Sequence, residues 1–443
     1  MNRPIKPLMR VVILSGPPRT IRLKPRGTSF RSGIVSYLTY SLTESHIDSA
    51  KSEGKILIVP DKDADGLSSG VILMRTLELM GVSSDRIAVH HLSRGVNLHD
   101  ESERESMKQY KPDFIFVLDQ GSRPSPPVID DPHQALIIDH HYAVEGDFPQ
   151  GAKYINACHC PPVVTSSLLT YLLCEPLHPE VKEKTDWLCC IGTHGDLGTT
   201  LKWKPPFPDM KETFKKYNKK NINDAVSMVN APRRTPAFNV SDAWRALRDA
   251  TCPADLLTDQ RLLQAREEIS LEIERCTHAA PKFSYDGRVS VQRISSLAQV
   301  HPVIATRWAG FLKSSKLEVV LVANEGYLPG FVNFSCRIAR EARVKDPPVN
   351  IIEILKEYAR NAEDGLLERL GESFARGHKE ASGGIVPKDA FEDLMKAMRV
   401  GEKPEKKEII SPKKEVKVQK NTLMGWVVKK KETETETDVS KVE

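Results

Sequence analysis

Residues 55–66 read KILIVPDKDADG: a short run of apolar, mostly β-branched residues that stops at Pro60 and passes directly into three aspartates spaced two apart. An apolar run this short and without alternation is the pattern of a strand buried on both faces. Leu67 to Met80 follows with apolar residues at 71, 74, 77 and 80, the spacing of a helix face. Further on, Asp113 to Leu118 and Ala135 to Ile138 repeat the buried-strand signal. Strand, turn and helix in alternation predict an α/β domain with a parallel sheet, whose ligands bind beyond the carboxyl ends of the strands.

Acidic residues stand at every such end. Asp61, Asp63 and Asp65 follow the first run, Asp119 follows FIFVL, Asp139-His140-His141 follows ALII, and Gly192-Thr193-His194-Gly195-Asp196 follows the apolar segment Trp187 to Ile191, read here as a fourth strand end. Carboxylates gathered at one edge of a sheet repel one another unless cations sit among them. Hard oxygen donors plus imidazole, without thiolate, suit Mn²⁺ or Mg²⁺ better than zinc. Two such ions about 3.5–4 Å apart clamp the attacking and leaving oxygens of a phosphoryl transfer. Ser68 and Ser69, after the aspartate loop, read as helix caps.

The composition, 40% apolar and 28% charged, is that of a globular protein and excludes collagenous, disordered and disulfide-framework classes. No apolar run reaches the length of a membrane span, so a soluble protein without membrane association is expected. The eight cysteines lack a regular spacing and read as reduced thiols of an intracellular protein, with Cys158-His159-Cys160 more consistent with packing than with zinc. The net charge of +5 is unevenly spread. Residues 1–43 hold eight basic residues and no acidic one, interrupted by prolines, while 401–443 hold eleven lysines against nine acids. Removing both ends leaves 45 basic and 50 acidic residues, a core of −5. The ends read as flexible extensions, the first with a short strand at Val11 to Leu14 and some likeness to an organelle import signal.

The D-x-D-x-D-G loop, lone Asp119, Asp139-His140-His141 and the G-T-x-x-D ending in Asp196 resemble the four motifs of the DHH phosphoesterase superfamily. Gly377-His378-Lys379-Glu380-Ala381-Ser382-Gly383-Gly384 resembles the signature of the DHH-associated C-terminal domain. The aspartate triplet and the Asn230-Ala231-Pro232-Arg233-Arg234 segment are similar to RecJ-type nucleases, in the compact layout of archaeal RecJ-like enzymes, without the oligonucleotide-binding barrel of bacterial RecJ. The resemblance implies a basic arm (1–33), a DHH catalytic domain (34–200), a helical connector (201–275) with a helix at Asp255 to Glu274, a smaller α/β DHH-associated domain (276–400) and a disordered tail (401–443).

By that resemblance Asp63 and Asp119 hold one metal, and Asp65, Asp119, His140 and Asp196 the second. Asp61 is a ligand or water-positioning group, His141 faces the scissile phosphate and Asp139 orients the histidine pair. His378, Gly383, Gly384, Arg337, Arg233 and Arg234 are expected to bind substrate, and the basic stretch 211–220 either meets a nucleic-acid backbone or forms a solvated helix face. The implied activity is a two-metal, Mn²⁺- or Mg²⁺-dependent exonuclease releasing mononucleotides from single-stranded nucleic acid, DNA from the 5′ end, in repair or replication. The alternatives are a phosphodiesterase of short oligonucleotides or cyclic dinucleotides, and a non-catalytic replisome scaffold. In the tail, Leu423, Trp426 and Val427 resemble a degenerate motif for docking on the replication sliding clamp. A nuclear location follows from that setting, or a mitochondrial one if the basic arm directs import.

Overall fold

The structure is a computed structural model that describes residues 45–402 except 52, 161–162 and 363–364. The expectations placed on 1–43, on the tail and on Leu423, Trp426 and Val427 lie outside the described residues.

The first run forms β1 (Ile56–Pro60) and leads into helix α1 (Ala64–Leu79). The chain continues through β2 (Ile87–Val89), α2 (Glu101–Lys108), β3 (Phe114–Leu118), β4 (Gln134–Asp139) and β5 (Lys153–Asn156). These strands make a five-stranded sheet in the order β2-β1-β3-β4-β5, with every pair parallel. Both faces are covered. Ile56, Ile58, Phe116, Leu118, Leu136 and Ile138 enter one apolar core, while Leu57, Val59, Ile115, Val117, Ile137 and Met107 of α2 enter another. Each fully buried Leu or Ile contributes about 1.5–3 kcal/mol, which is why the strands carry no polar alternation.

Helices α3 (Ser166–Cys174) and α4 (Val181–Leu197) pack with α1 on the first face. Here the expectation of a fourth strand end is corrected: Trp187 to Ile191 is the buried middle of α4, and Asp196 comes from its last turn. A helix apolar all round shows no period, so five of its residues look like a buried strand.

A helical connector follows: α5 (Lys211–Tyr217), α6 (Lys219–Val229), α7 (Val240–Asp249), α8 (Pro253–Thr258) and α9 (Gln260–Cys276). The single helix expected at Asp255 to Glu274 is broken at Asp259, which N-caps α9 by accepting from the backbone N–H groups of Arg261 and Leu262. In 211–220 the lysines lie on two short helices, whose Thr213 and Ile222 are buried.

The second sheet is built from β6 (Lys282–Phe283), β7 (Val289–Ile294), β8 (Val319–Asn324), β9 (Phe331–Ile338), β10 (Arg376–His378) and β11 (Ala381–Pro387), in the order β10-β11-β9-β8-β7-β6. Only β7 and β8 run parallel, joined by α10 (His301–Phe311). Helices α11 (Ile351–Arg360), α12 (Leu366–Leu370) and α13 (Lys388–Ala397) close its other core.

In the first sheet the chain leaves β1 toward β2 and returns on the opposite side at β3. The carboxyl ends of β1 and β3 therefore flank the point where the winding reverses, which is where open α/β sheets bind ligands.

Candidate metal centre

Each aspartate of the first loop is set by the backbone around it. Asp61 extends the sheet by donating its N–H to the Leu118 carbonyl at 2.9 Å, and its side chain accepts from Lys62 Nζ at 2.9 Å. Asp63 is the N-cap of α1, accepting from the N–H groups of Asp65 and Gly66 at 3.0 and 3.3 Å. This corrects the expectation for Ser68 and Ser69: both are buried within α1, and Ser69 Oγ donates to the Asp65 carbonyl. Asp65 is fully buried, and its two oxygens accept from the N–H groups of Ser166 and Ser167 at 2.8 and 2.9 Å. The N-terminus of α3 thus holds a carboxylate beneath the sheet edge. Gly192 of α4 is required there: a Cβ would lie 2.3 Å from Ser167 Oγ and 2.9 Å from Asp65 Oδ1.

Asp119 adopts φ +64°, a left-handed conformation that costs a non-glycine residue energy and clusters at functional sites. It is buried, its N–H donates to Ile138 O, and its carboxylate accepts from Ser166 Oγ at 2.9 Å. Asp139 is fully engaged. One oxygen accepts from the N–H groups of His140 and His141 and pairs with His141 Nδ1 at 2.8 Å, and the other accepts from Ser122 Oγ at 2.6 Å. Asp139 therefore positions His141, and it is not among the converging donor groups found among the described residues. His194, inside the fourth motif, is consumed structurally by Asn223 and Trp203.

His140 is the focus. Its Nε2 lies 3.1 Å from Asp196 Oδ2, 3.2 Å from Asp119 Oδ1 and 3.8 Å from Asp65 Oδ2, yet neither ring nitrogen makes a hydrogen bond of good geometry. A buried imidazole nitrogen ringed by carboxylate oxygens and unsatisfied by them is a ligand set. Donor atoms converge within 4.8 Å in three groups: Asp61/Asp63/Asp119, Asp65/His140/Asp196 and Asp119/His140/His141. Asp119 stands between the two carboxylate groups. Oxygen and imidazole donors without a thiolate fit Mn²⁺ or Mg²⁺.

Titration reflects the crowding. Burial, then the Asp196 carboxylate, pushes Asp65 up to about 6, and burial with Asp65 raises Asp119 well above its ordinary value. Burial alone would lower His140, but Asp119 and Asp196 overcome it and hold the ring at about 12. His141 is likewise held up at about 10 against burial by Asp139, whose own carboxyl is lowered by the same pairing despite its burial.

The second sheet and the connector bring cations to this edge. Asn230 Oδ1 accepts from Ala64 N and from Arg233 Nε, which fixes the NAPRR turn against the start of α1 and leaves Arg233 Nη2 3.9 Å from Asp63. Arg234 is lowered to about 9, first by burial and then by Arg233, and its Nε has no partner. Arg337 of β9 is lowered by burial and bonds the Cys336 carbonyl. His301, at the start of α10, is fully enclosed and pushed down to about 3 by burial and by the charges of Arg234 and Arg337. His378 is lowered by burial and then by His140 and His141, so it lies within electrostatic reach of the metal cluster. Gly383 and Gly384 pair with Ser335 and Phe334 of β9, and a Cβ on either would meet a backbone carbonyl at 2.5–2.6 Å. Cys158 Sγ and His159 Nε2 both turn to the Ala143 carbonyl.

Sequence reasoning missed Ser166, Ser167, Asn230 as a brace, and His301. Only Asn230 sat in a recognised motif; the others join the site through topology.

Residues 55–193 match the DHH family, N-terminal domain. The two-sheet fold is similar to that of RecJ. It is similar to RecJ in complex with Mn²⁺ from Thermus thermophilus at TM-score 0.55 and 15% identity, covering 81% of this chain and 53% of that one. It is similar also to an exonuclease RecJ bound to manganese (TM-score 0.52, 17% identity, 81% and 92% covered). A DHH domain described as belonging to a family of ribosomal proteins aligns with TM-score 0.58 at 14% identity over 85% of this chain and 95% of that one. The chain thus spans about half the length of the Thermus protein. No curated protein shows significant sequence similarity to it. No helix among the described residues is long and apolar enough to cross a membrane.

Proposed function

We propose that this protein is a metal-dependent phosphodiesterase that removes mononucleotides from the 5′ end of single-stranded DNA. The observation that carries the reading is the opposition of two charge clusters: carboxylates and imidazoles sharing Asp119 on one side, and Arg233, Arg234, Arg337 and His301 on the other. Arg234 and Arg337 lie close enough to His301 for their charges to depress it, and a polyanion relieves both sets at once.

Asp61, Asp63 and Asp119 would hold one divalent ion, and Asp65, His140, Asp196 and Asp119 the other. Ions held there supply Lewis-acid polarisation of the phosphoryl oxygens and a water of lowered pKa. The chain's own residues orient the reaction. Asp139 fixes His141 by its Nδ1, leaving Nε2 free to meet a phosphate oxygen. Arg337 and Arg234 present guanidinium forks to phosphate oxygens, and His378 approaches from the second sheet. Action in replication or repair, docking of Leu423, Trp426 and Val427 on a sliding clamp, and a nuclear location complete the proposal.

The test uses single strands of DNA and RNA, long and of two to five nucleotides, labelled at either end and incubated with Mn²⁺. Mononucleotide release from the 5′ end of long DNA is expected. Turnover confined to the shortest strands would replace the exonuclease with an oligonucleotide phosphodiesterase, and no turnover with any metal would leave a scaffold.

A further inference from the structure

Beside the metal cluster the chain exposes an aromatic ring that packing does not require. Tyr142, immediately after the two motif histidines, is 75% exposed, and His141 shows 55% of its side chain. An isolated exposed tyrosine is ordinary, but the backbone on either side of this one is tied down by neighbouring side chains. The carbonyl before it, of His141, accepts from Asn156 Nδ2 at 2.9 Å. The residue after it, Ala143, is buried, and its carbonyl accepts from His159 Nε2 at 3.0 Å. Asn156 also donates to Ser122 Oγ at 2.9 Å, and Ser122 donates in turn to Asp139, the residue that orients His141. His159 meets the Tyr142 ring edge to face, with centroids 5.7 Å apart. The backbone on both sides of the ring and one edge of the ring itself are thus tied to the loop that carries the site.

We propose that Tyr142 is a stacking platform for the nucleobase of the nucleotide whose phosphate lies on the metal centre. This rests on the reading of the site as a phosphodiesterase for nucleic acid. A largely exposed ring on a tethered backbone offers a nucleobase its π-surface, and stacking of this kind accepts any base. It gives a site built from phosphate contacts a means of telling a nucleotide from a bare phosphodiester.

The experiment is a cycle between the protein and the strand. Wild type, Tyr142→Ala and Tyr142→Phe are assayed with Mn²⁺ on a DNA strand carrying either a normal or an abasic nucleotide at the cleaved end. Tyr142→Ala should raise KM between about fivefold and a hundredfold on the normal strand, with kcat changed far less, and Tyr142→Phe should stay within about twofold of wild type. On the abasic strand the alanine variant should lose no further affinity, because the partner of the ring is already gone. Equal losses on both strands, or none on either, overturn the platform while wild-type turnover keeps the phosphodiesterase reading standing. Absence of wild-type turnover on any strand removes that reading and the platform with it. Because the ring is exposed, all three proteins should melt together, and thermal unfolding checks that the variants are folded.

Discussion

At the residue scale the centre is a competition between protons and cations. The folded pKa of Asp65, about 6, lies above its ordinary 3.8, so the stability its carboxyl contributes is complete below pH 3.8 and lost as pH rises through about 6. His140, held at about 12, keeps a proton throughout the neutral range while no metal displaces it. Metal binding must remove both protons, so affinity should strengthen with pH. The rise in melting temperature produced by Mn²⁺ should therefore be larger at pH 8 than at pH 5, and His140→Ala should reduce the rise and abolish the turnover. A metal-induced shift equal at the two pH values would show that protons and metal do not share these groups. The residues that converge within 4.8 Å were legible because their types and spacing state the chemistry they can do. Ser166, Ser167 and His301 were not, since a serine at a helix start and a histidine after a valine have many ordinary uses.

At the element scale the parallel strands were readable because burial on both faces leaves an uninterrupted apolar run, and the aspartates mark where each run ends. Trp187 to Ile191 carries the same short apolar run because a helix buried on all sides produces it too. At Asp259 a cap interrupts a pattern that periodicity carries straight through. The glycines of β11 show how a motif can serve packing and ligand together. Gly383 faces the Phe334 carbonyl of β9 so closely that an added Cβ would lie 2.5 Å from it. Gly383→Ala should therefore lower stability by about 1–3 kcal/mol, read as a reduced urea midpoint, because the strands must separate to admit the methyl group. An unchanged midpoint with an altered KM would assign this glycine to the substrate alone.

At the scale of the molecule the distribution of charge follows the placement of the two sheets. The core, net −5, gathers Asp61, Asp63, Asp65, Asp119 and Asp196 at the edge of the first sheet and places buried cations near them from the connector and the second sheet. One side chain in the loop after β2 ties the first sheet to both of the other parts. Arg94 donates to the carbonyls of Pro236 at 3.1 Å and of Leu297 and Tyr327 at 2.8 Å, and its guanidinium lies 4.0 Å from the centre of the Tyr327 ring. Tyr327 in turn meets His301 edge to face at 6.2 Å, which connects the latch to the basic cluster. Three charge-assisted hydrogen bonds and a cation–π contact are lost together in Arg94→Ala. The metal ligands all lie on the first sheet and its helices, so Mn²⁺ affinity should survive this change. In the proposed mode the strand spans both sheets, so KM should rise severalfold and the melting temperature should fall by a few degrees. Titration with Mn²⁺ followed by strand kinetics separates the two effects: a loss of metal affinity equal to the loss of strand affinity would mean that Arg94 supports the first sheet itself rather than its partnership with the second.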